Sequence, residues 1–191
     1  MTTFYPGVGA DAAIADLHRA IGEITSTWAD VEDTLFTFFV VGLTGEWLID
    51  LRPYRSAFFA LSSFEMKMRM INAAMKTRYS EDESILAAWR NLKRRADVAA
   101  NDRNQIAHLI PVAFYTADKD APANVRLVPP FWKSSHQNKG ARQFEEIGFS
   151  LEDVRARKKG WDSLSYDLQQ LSMKLMPPTR PKPEAQTDHP S

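Results

Sequence analysis

The sequence predicts a mainly α-helical protein: a bundle of four or more helices with a small β-hairpin insertion between the third and fourth main helices. Two observations lead to this prediction. Apolar residues recur every three or four positions through most of the 191-residue chain, which is the spacing of one helix face. Between residues 111 and 149 this period is replaced by short β-prone runs. With 44% apolar residues, the chain can form one sizeable core.

The first helix is predicted over about residues 12–41. Its apolar residues alternate steps of three and four from Ile14 to Phe38. Asp11 is a candidate N-cap, and Gly42 is a candidate stop. Two further phenylalanines widen the apolar stripe beyond the narrow seam of a coiled coil, so a helix inside a bundle is favoured.

A second helix is predicted over about residues 45–78. Thr44 is its candidate N-cap, and apolar residues from position 48 to position 75 keep the helical spacing. Pro53 falls inside the segment. Because proline removes one backbone donor and crowds the preceding turn, we expect it to bend or divide this helix.

The third and fourth predicted helices each begin with a capping signal. Ser80 and Glu83 have the spacing of a capping box, and Ser150 and Asp153 repeat that spacing before the fourth helix. Gly160 weakens the fourth helix, because glycine is a poor helix former.

The segment between these two helices predicts a β-hairpin. Pro111 ends the third helix, and the β-prone runs 112–117 and 125–128 flank the polar residues 118–124. Residues 144–149 are a candidate third strand. The chain therefore divides into the segments 1–10 (N-terminal arm), 11–176 (helical domain, including the insertion 111–149) and 177–191 (disordered tail). The tail has five prolines and no large apolar side chain, so it cannot bury enough surface to offset its ordering entropy.

Composition excludes several classes of function. The 24 basic side chains balance 24 acidic ones, which argues against a polybasic nucleic-acid-binding protein but leaves a locally basic groove open. Two basic runs, at 90–95 and 155–159, are either solvated faces or flanks of such a groove. The chain has no cysteine, so it has no disulfide, thiolate nucleophile or cysteine-based metal site. Lacking a signal-peptide pattern and a long apolar run, it is expected to be cytoplasmic and to have no membrane partner.

One charged residue interrupts the apolar stripe of the third helix. Continuing the spacing from Ile85 and Trp89 leads to Arg103. Because an isolated buried charge is costly, this guanidinium is either partly buried with a partner or faces a cleft. Glu65 and Glu32 interrupt the stripes of their own helices, so each is either that partner or a residue exposed at a stripe edge.

A polar stripe lies beside Arg103 on the same predicted helix. Asp97, Asn101, Asn104 and His108 follow at steps of 4, 3 and 4, which keeps them on one side of a helix. The end of the helix would thus present a permanent cation beside a titratable imidazole. The simpler interpretation is a structural ion pair, or a protonated histidine interacting with the helix dipole.

The string Arg103-Asn104-Gln105-Ile106-Ala107-His108 resembles the motif of the HEPN superfamily (higher eukaryotes and prokaryotes nucleotide-binding). That motif is an arginine, a polar residue directly after it, and a histidine four to six residues beyond the arginine. The resemblance implies a helical bundle with the motif near the end of the third main helix. Many members are metal-independent endoribonucleases that act as dimers, often as toxins or in defence, whereas others only bind or assemble.

The resemblance also implies roles for individual residues. His108 would be the general acid or base for attack by the RNA 2′-hydroxyl, and Arg103 would stabilise charge on the phosphorus. Asn104 would orient the histidine or the phosphate. These three are the candidate catalytic residues, with a second set as candidate supporting residues: Asp97, Asn101, Glu65 and Glu32.

The partners predicted are a second copy of the chain in a homodimer, an RNA substrate, and an antitoxin or another protein. No cofactor and no metal ion are predicted, because the four histidines are dispersed and form no ligand cluster. Two alternatives remain open: a non-catalytic module that binds a protein or a nucleotide, and a purely structural subunit.

Overall fold

The computed structural model describes residues 3–46, 49–129 and 148–176. In these ranges the protein is mainly helical, with five helices and one two-stranded antiparallel sheet. The elements in chain order are α1 (Ala10–Thr44), α2 (Arg52–Ala60), α3 (Phe64–Arg78), α4 (Glu83–Ile106), β1 (Ile110–Phe114), β2 (Asn124–Val128) and α5 (Leu151–Leu175). No helix in these ranges has the length and apolar character needed to cross a bilayer.

Helix α1 is the central element of the core. Its 35 residues pack mainly against α5 and α3, and its buried side chains include most of those of the predicted apolar stripe. Trp28 connects these three helices, because its ring centroid lies 5.0 Å from that of Phe64 and 5.7 Å from that of Trp161. Burial of each large apolar side chain contributes about 1.5–3 kcal/mol relative to exposure, so the periodic stripe explains why α1 is the centre of the bundle.

The segment predicted as one second helix forms two helices. Pro53 lies in the first turn of α2, where its missing N–H costs nothing and its fixed φ suits the helix. The interruption comes later, at residues 61–63, where Ser63 is extended and its side chain accepts a hydrogen bond from the Met66 N–H. The hairpin therefore lies between α4 and α5, and its predicted position between the third and fourth helices is wrong by one helix.

The ends of α1 also differ from the prediction. The N-cap is Gly9, and Asp11 lies within the first turn. The helix continues through Gly42 and ends at Thr44, after which Gly45 adopts a φ of 73° and donates its N–H to the Val41 carbonyl. Thr44 is therefore the last residue of α1 and not the N-cap of the next helix. The glycine with positive φ that follows it supplies the stop signal.

The two predicted capping signals have different outcomes. For α5 the capping box is present: the Ser150 side chain accepts from the Asp153 N–H while the Asp153 carboxylate accepts from the Ser150 N–H. The helix then runs without interruption through Gly160. For α4 the N-cap is Asp82, whose carboxylate accepts from the Ile85 N–H, and the predicted Ser80 cap is wrong. An aspartate two residues nearer the helix serves the same purpose.

The predicted hairpin is present. Strands β1 and β2 are antiparallel, with Ile110 opposite Val128 and Phe114 opposite Asn124. Helix α4 ends at Ile106, so Pro111 lies in β1 and does not mark the end of the helix. Of the candidate third strand, residues 144–147 lie outside the described residues, whereas Phe149 forms a bridge to Leu127. The predicted tail, 177–191, also lies outside them.

The residues before α1 add to the hairpin. Tyr5 and Thr116 exchange two backbone hydrogen bonds, of 2.8 and 2.7 Å, and Val8 does the same with Ala121 and Ala123 at 2.8 and 3.0 Å. The predicted N-terminal arm is therefore paired with the insertion by its backbone.

Candidate functional site

A groove between α3 and α4, called the α3–α4 groove below, collects most of the predicted site residues. It encloses about 910 Å³, and residues of α1 and the end of α2 complete its walls. Six of the seven predicted residues line it: Arg103, Asn104, Asn101, Asp97, Glu65 and Glu32.

Local helix geometry explains this collection. Asp97, Asn101 and Asn104 line the groove at steps of 4 and 3 on α4, as predicted. Ala100 is buried among them, and its short side chain leaves room for the groove. On the opposite wall, the first turns of α3 supply Glu65 and Lys67.

The lining of the groove contains a largely buried ion pair that sequence reasoning missed. Lys67 Nζ lies 3.2 Å from Glu32 Oε1, and the two side chains are 10% and 27% exposed. The same ammonium lies 5.2 and 5.1 Å from the ring centroids of Phe58 and Phe59, within the range of a cation–π contact. The interruption of the α1 stripe by Glu32 was a signal that this carboxylate has a partner, but nothing local indicated Lys67, which is 35 positions away.

The other two carboxylates of the groove are paired as well. Lys93 Nζ lies 2.6 Å from Asp97 Oδ2, and Arg69 Nη2 lies 2.5 Å from Glu65 Oε1. Each is an i,i+4 pair on one helix. Glu32 and Glu65 are therefore paired with Lys67 and Arg69, and neither forms an ion pair with Arg103.

Arg103 differs from the other cations of the groove. Its Nη1 donates to Asn104 Oδ1 at 3.1 Å, and among the described residues no carboxylate oxygen lies within 4.0 Å of its guanidinium. The residue is exposed and lines the groove, so of the two predicted situations it adopts the one in which the guanidinium faces a cleft.

The charges of the lining therefore balance except at Arg103. Four cations and three carboxylates line the groove, and the three carboxylates are each within hydrogen-bonding distance of another cation. A guanidinium with a neutral amide as its partner keeps most of its N–H donors available. The local geometry thus favours the binding of an oxyanion to Arg103, and Asn104 and Asn101 provide neutral hydrogen-bonding groups beside it.

His108 is the predicted residue that does not line the groove. Helix α4 ends at Ile106, and His108 follows in a turn where its N–H donates to the Gln105 carbonyl at 3.2 Å. Because the helix ends before His108, the helical spacing does not place this residue beside Asn104. Its side chain is exposed, so it is available to a molecule that approaches the end of α4.

Within 3–46, 49–129 and 148–176, no group of three or more His, Cys, Asp and Glu side chains is arranged to hold a metal ion. Comparison of the chain with protein-family models, with curated proteins and with solved structures finds no match. What is established, for the part of the chain that the structure describes, is a mainly helical fold of five helices with a small hairpin, and a polar groove centred on α3 and α4.

Proposed function

We propose that this protein is a HEPN-like endoribonuclease that cleaves RNA without a metal ion, and that Arg103 holds the scissile phosphate in the α3–α4 groove. The observation that supports this most is the guanidinium of Arg103, which faces the groove without a carboxylate partner among the described residues. A phosphodiester carries one negative charge at each link and is the anion that such an arginine binds well.

The lining of the groove is better suited to single-stranded RNA than to an RNA duplex. Its walls combine an exposed aromatic ring, Phe59, with the polar side chains of Asn101 and Asn104. Bases of a single strand stack on aromatic rings while their phosphates contact cations. The substrate class proposed is therefore single-stranded RNA.

The reaction is transesterification followed by release of the strand. The 2′-oxygen attacks the adjacent phosphorus, a P–O2′ bond forms, and the P–O5′ bond breaks to leave a cyclic phosphate and a 5′-hydroxyl. His108 accepts the proton of the 2′-hydroxyl or donates one to the leaving 5′-oxygen, and solvent water takes part in the other transfer. Arg103 stabilises the charge that develops on the phosphoryl oxygens.

The position of His108 favours a site formed with a second copy of the chain. Because this residue lies beyond the end of α4 and outside the groove lining of its own protomer, a homodimer brings the two motifs together. In that arrangement the exposed His108 of one protomer reaches the groove of its partner. An antitoxin or another protein could regulate the enzyme by covering the same face.

The same position of His108 favours a second candidate function. If the protein does not dimerise through this face, the groove contains Arg103 without an acid–base group, and the protein is a non-catalytic module that binds a protein or nucleotide partner. The two candidates differ in cleavage and share anion binding at Arg103.

The test measures RNA cleavage in EDTA for the wild type, Arg103→Ala and His108→Ala. The matched controls are Arg19→Ala and His18→Ala, because these exposed neighbours on α1 line neither described groove. We expect each motif variant to lose cleavage by at least about 100-fold and both controls to keep it.

Fluorescence anisotropy with single-stranded RNA and light scattering separate the two candidates. The binding module would be supported if Arg103→Ala binds RNA more weakly than the wild type while neither the wild type nor any variant cleaves it. Equal cleavage by the wild type and both motif variants would overturn the enzyme proposal. Unchanged RNA binding in Arg103→Ala would overturn the role of Arg103 in holding RNA, for the enzyme and for the binding module alike. A monomer at micromolar concentration would remove the two-motif cleft.

A further inference from the structure

A second groove lies on the other side of α4, between this helix and α5, and is called the α4–α5 groove below. It encloses about 320 Å³, which is at the small end of the range of about 300–1,000 Å³ for ligand pockets. None of its lining residues belongs to the α3–α4 groove, so an inference about it is independent of the function proposed above.

One wall of the groove contains a glycine in the middle of a helix. Gly160 lines it, and a Cβ added at this position would meet no atom within 4 Å. Helix α5 continues through Gly160 although glycine costs about 0.5–1 kcal/mol relative to alanine in a helix interior. Close packing against a neighbouring element therefore does not require glycine at position 160. The absence of a side chain at this position leaves space in the α4–α5 groove.

Three guanidinium groups line this groove, from both of its walls. Arg94 and Arg95 belong to α4, and Arg157 belongs to α5. Arg95 is anchored across the helices, because its Nη1 lies 2.6 Å from Asp167 Oδ2. One carboxylate, Asp102, is also part of the lining, so cations outnumber carboxylates there.

Two of these arginines have donors to spare. Arg94 donates to Asn91 Oδ1 at 3.0 Å, which is a neutral partner. Arg157 donates from Nη1 to the Asp153 carbonyl at 3.2 Å, its guanidinium carbon lies 4.0 Å from the Phe149 ring centroid, and its enclosed Nε has no acceptor among the described residues. The nearest carboxylate oxygen to that Nε, from Asp102, is 3.8 Å away, beyond hydrogen-bonding distance.

The floor between the arginines is apolar. Trp161 and Leu164 of α5 form it with Ala99 of α4, and Val98 at the edge is 57% exposed. A ligand that fits this groove has an apolar or aromatic part that contacts the floor. It also has an anionic group with several oxygens, which accept hydrogen bonds from guanidinium groups on the two facing walls. A phosphate monoester satisfies both walls, because it presents three acceptor oxygens and a charge of about −1.5 to −2 at pH 7.

We propose that the α4–α5 groove binds a phosphate monoester attached to an aromatic body, such as a nucleoside 5′-monophosphate, with Arg94 and Arg157 on the phosphate. The ring system lies on the apolar floor beside Trp161, in the space that Gly160 leaves open. This assigns a ligand site to a surface that the proposed cleavage reaction does not use.

Isothermal titration calorimetry with adenosine 5′-monophosphate tests the site, and adenosine and inorganic phosphate are the partial ligands. We expect the monophosphate to bind at least about tenfold more tightly than either part. Arg94→Gln removes one charged donor and Gly160→Leu fills the open space, and each should weaken binding by about tenfold or more. Both variants are expected to fold, since Arg94 is exposed and position 160 has room for a side chain.

Two controls limit the interpretation. Arg90→Gln changes an exposed arginine of α4 that pairs with Glu83 and lies outside the groove lining, so it should bind the monophosphate as the wild type does. Arg19→Gln, on an exposed residue of α1 that lines neither groove, should also bind it normally. A second binding event that is lost in Arg103→Ala would belong to the α3–α4 groove. Thermal melting of each variant verifies that it is folded.

The source of the phosphate is resolved by repeating the titration with a short oligoadenylate, with and without a 5′-phosphate. Tighter binding of the phosphorylated strand assigns the site to RNA ends as well as to free nucleotides, and equal binding of the two strands assigns it to free nucleotides. The proposal is overturned if the wild type does not bind the monophosphate at millimolar concentration, or if either Arg94→Gln or Gly160→Leu binds it at full strength.

Discussion

The two sides of α4 use the same kinds of charged residue but pair them differently. On the side of α1 and α3, the three carboxylates lining the groove are all paired with cations, and the Lys67–Glu32 pair is largely buried. On the side of α5, cations outnumber the carboxylate of the lining, and Asp102 lies 3.8 Å from Arg157. The charge that a groove offers to a ligand is therefore set by which of its charged side chains are paired, and a count of charged residues along the helix does not reveal it.

Removing the carboxylate under the α3–α4 groove should have the largest effect on stability. Glu32→Ala leaves the Lys67 ammonium largely buried without its partner, and we expect a loss of about 2–3 kcal/mol, below the range for a fully buried pair because Glu32 is partly exposed. Denaturant unfolding followed by circular dichroism measures it. The double variant Glu32→Leu with Lys67→Met should recover most of the loss, and a double variant as unstable as Glu32→Ala would show that the pair itself is not the cause.

A carboxylate on the α5 side should matter less, through capping. Asp153→Ala removes the acceptor of the Ser150 N–H and hydroxyl, both at 2.8 Å, and should cost about 1 kcal/mol. The backbone N–H of Ser150, followed by its side chain, lowers the pKa of the Asp153 carboxyl below its ordinary value of 3.8. Because the folded pKa is the lower one, this stabilisation is complete above about pH 4 and is lost as the pH falls further.

Unfolding curves at pH 7 and at pH 3 verify the direction of this effect. The difference in stability between the wild type and Asp153→Ala should be larger at pH 7. A difference that stays constant or grows on acidification would contradict the role of the ionised carboxylate.

Two glycines should respond in opposite directions to the same substitution. Gly42 of α1 packs against α3, and an added Cβ would lie 3.0 Å from the Cβ of Ala74. Since that contact is with a buried residue on a rigid helix, we expect Gly42→Ala to destabilise the protein by about 1 kcal/mol. Gly160→Ala meets no atom within 4 Å and should stabilise it by about 0.5–1 kcal/mol. Thermal melts of the two variants measure both signs, and equal shifts in the same direction would contradict the contrast.

The smallest effect is expected for the anchored pair of the α4–α5 groove. Arg95 and Asp167 have side chains that are 30% and 42% exposed, so Asp167→Asn should cost about 0.5 kcal/mol. The same denaturant titration measures it. If this loss equals or exceeds that of Glu32→Ala, the distinction drawn between the two sides of α4 is wrong.

The candidate site was predictable in part. The helical spacing of Asp97, Asn101 and Asn104 predicts a shared face, and all three line the α3–α4 groove because they precede the end of α4 at Ile106. The same spacing fails for His108, because α4 ends at Ile106 so that the chain can turn into β1. A periodic pattern alone does not reveal where a helix frays into a turn.

What the sequence by itself determined about this protein is its set of local elements: the amphipathic helices, the capping box of α5 and the hairpin. Each depends on interactions between residues a few positions apart, which the spacing of apolar and capping residues expresses directly. Only the tertiary structure decided that the second predicted helix is two helices, that Lys67 is the partner of Glu32, and that Arg103 keeps its charge available in a groove. These outcomes depend on which side chains meet across helices from distant parts of the chain, and burial and charge pairing over such separations leave no periodic signal in the sequence.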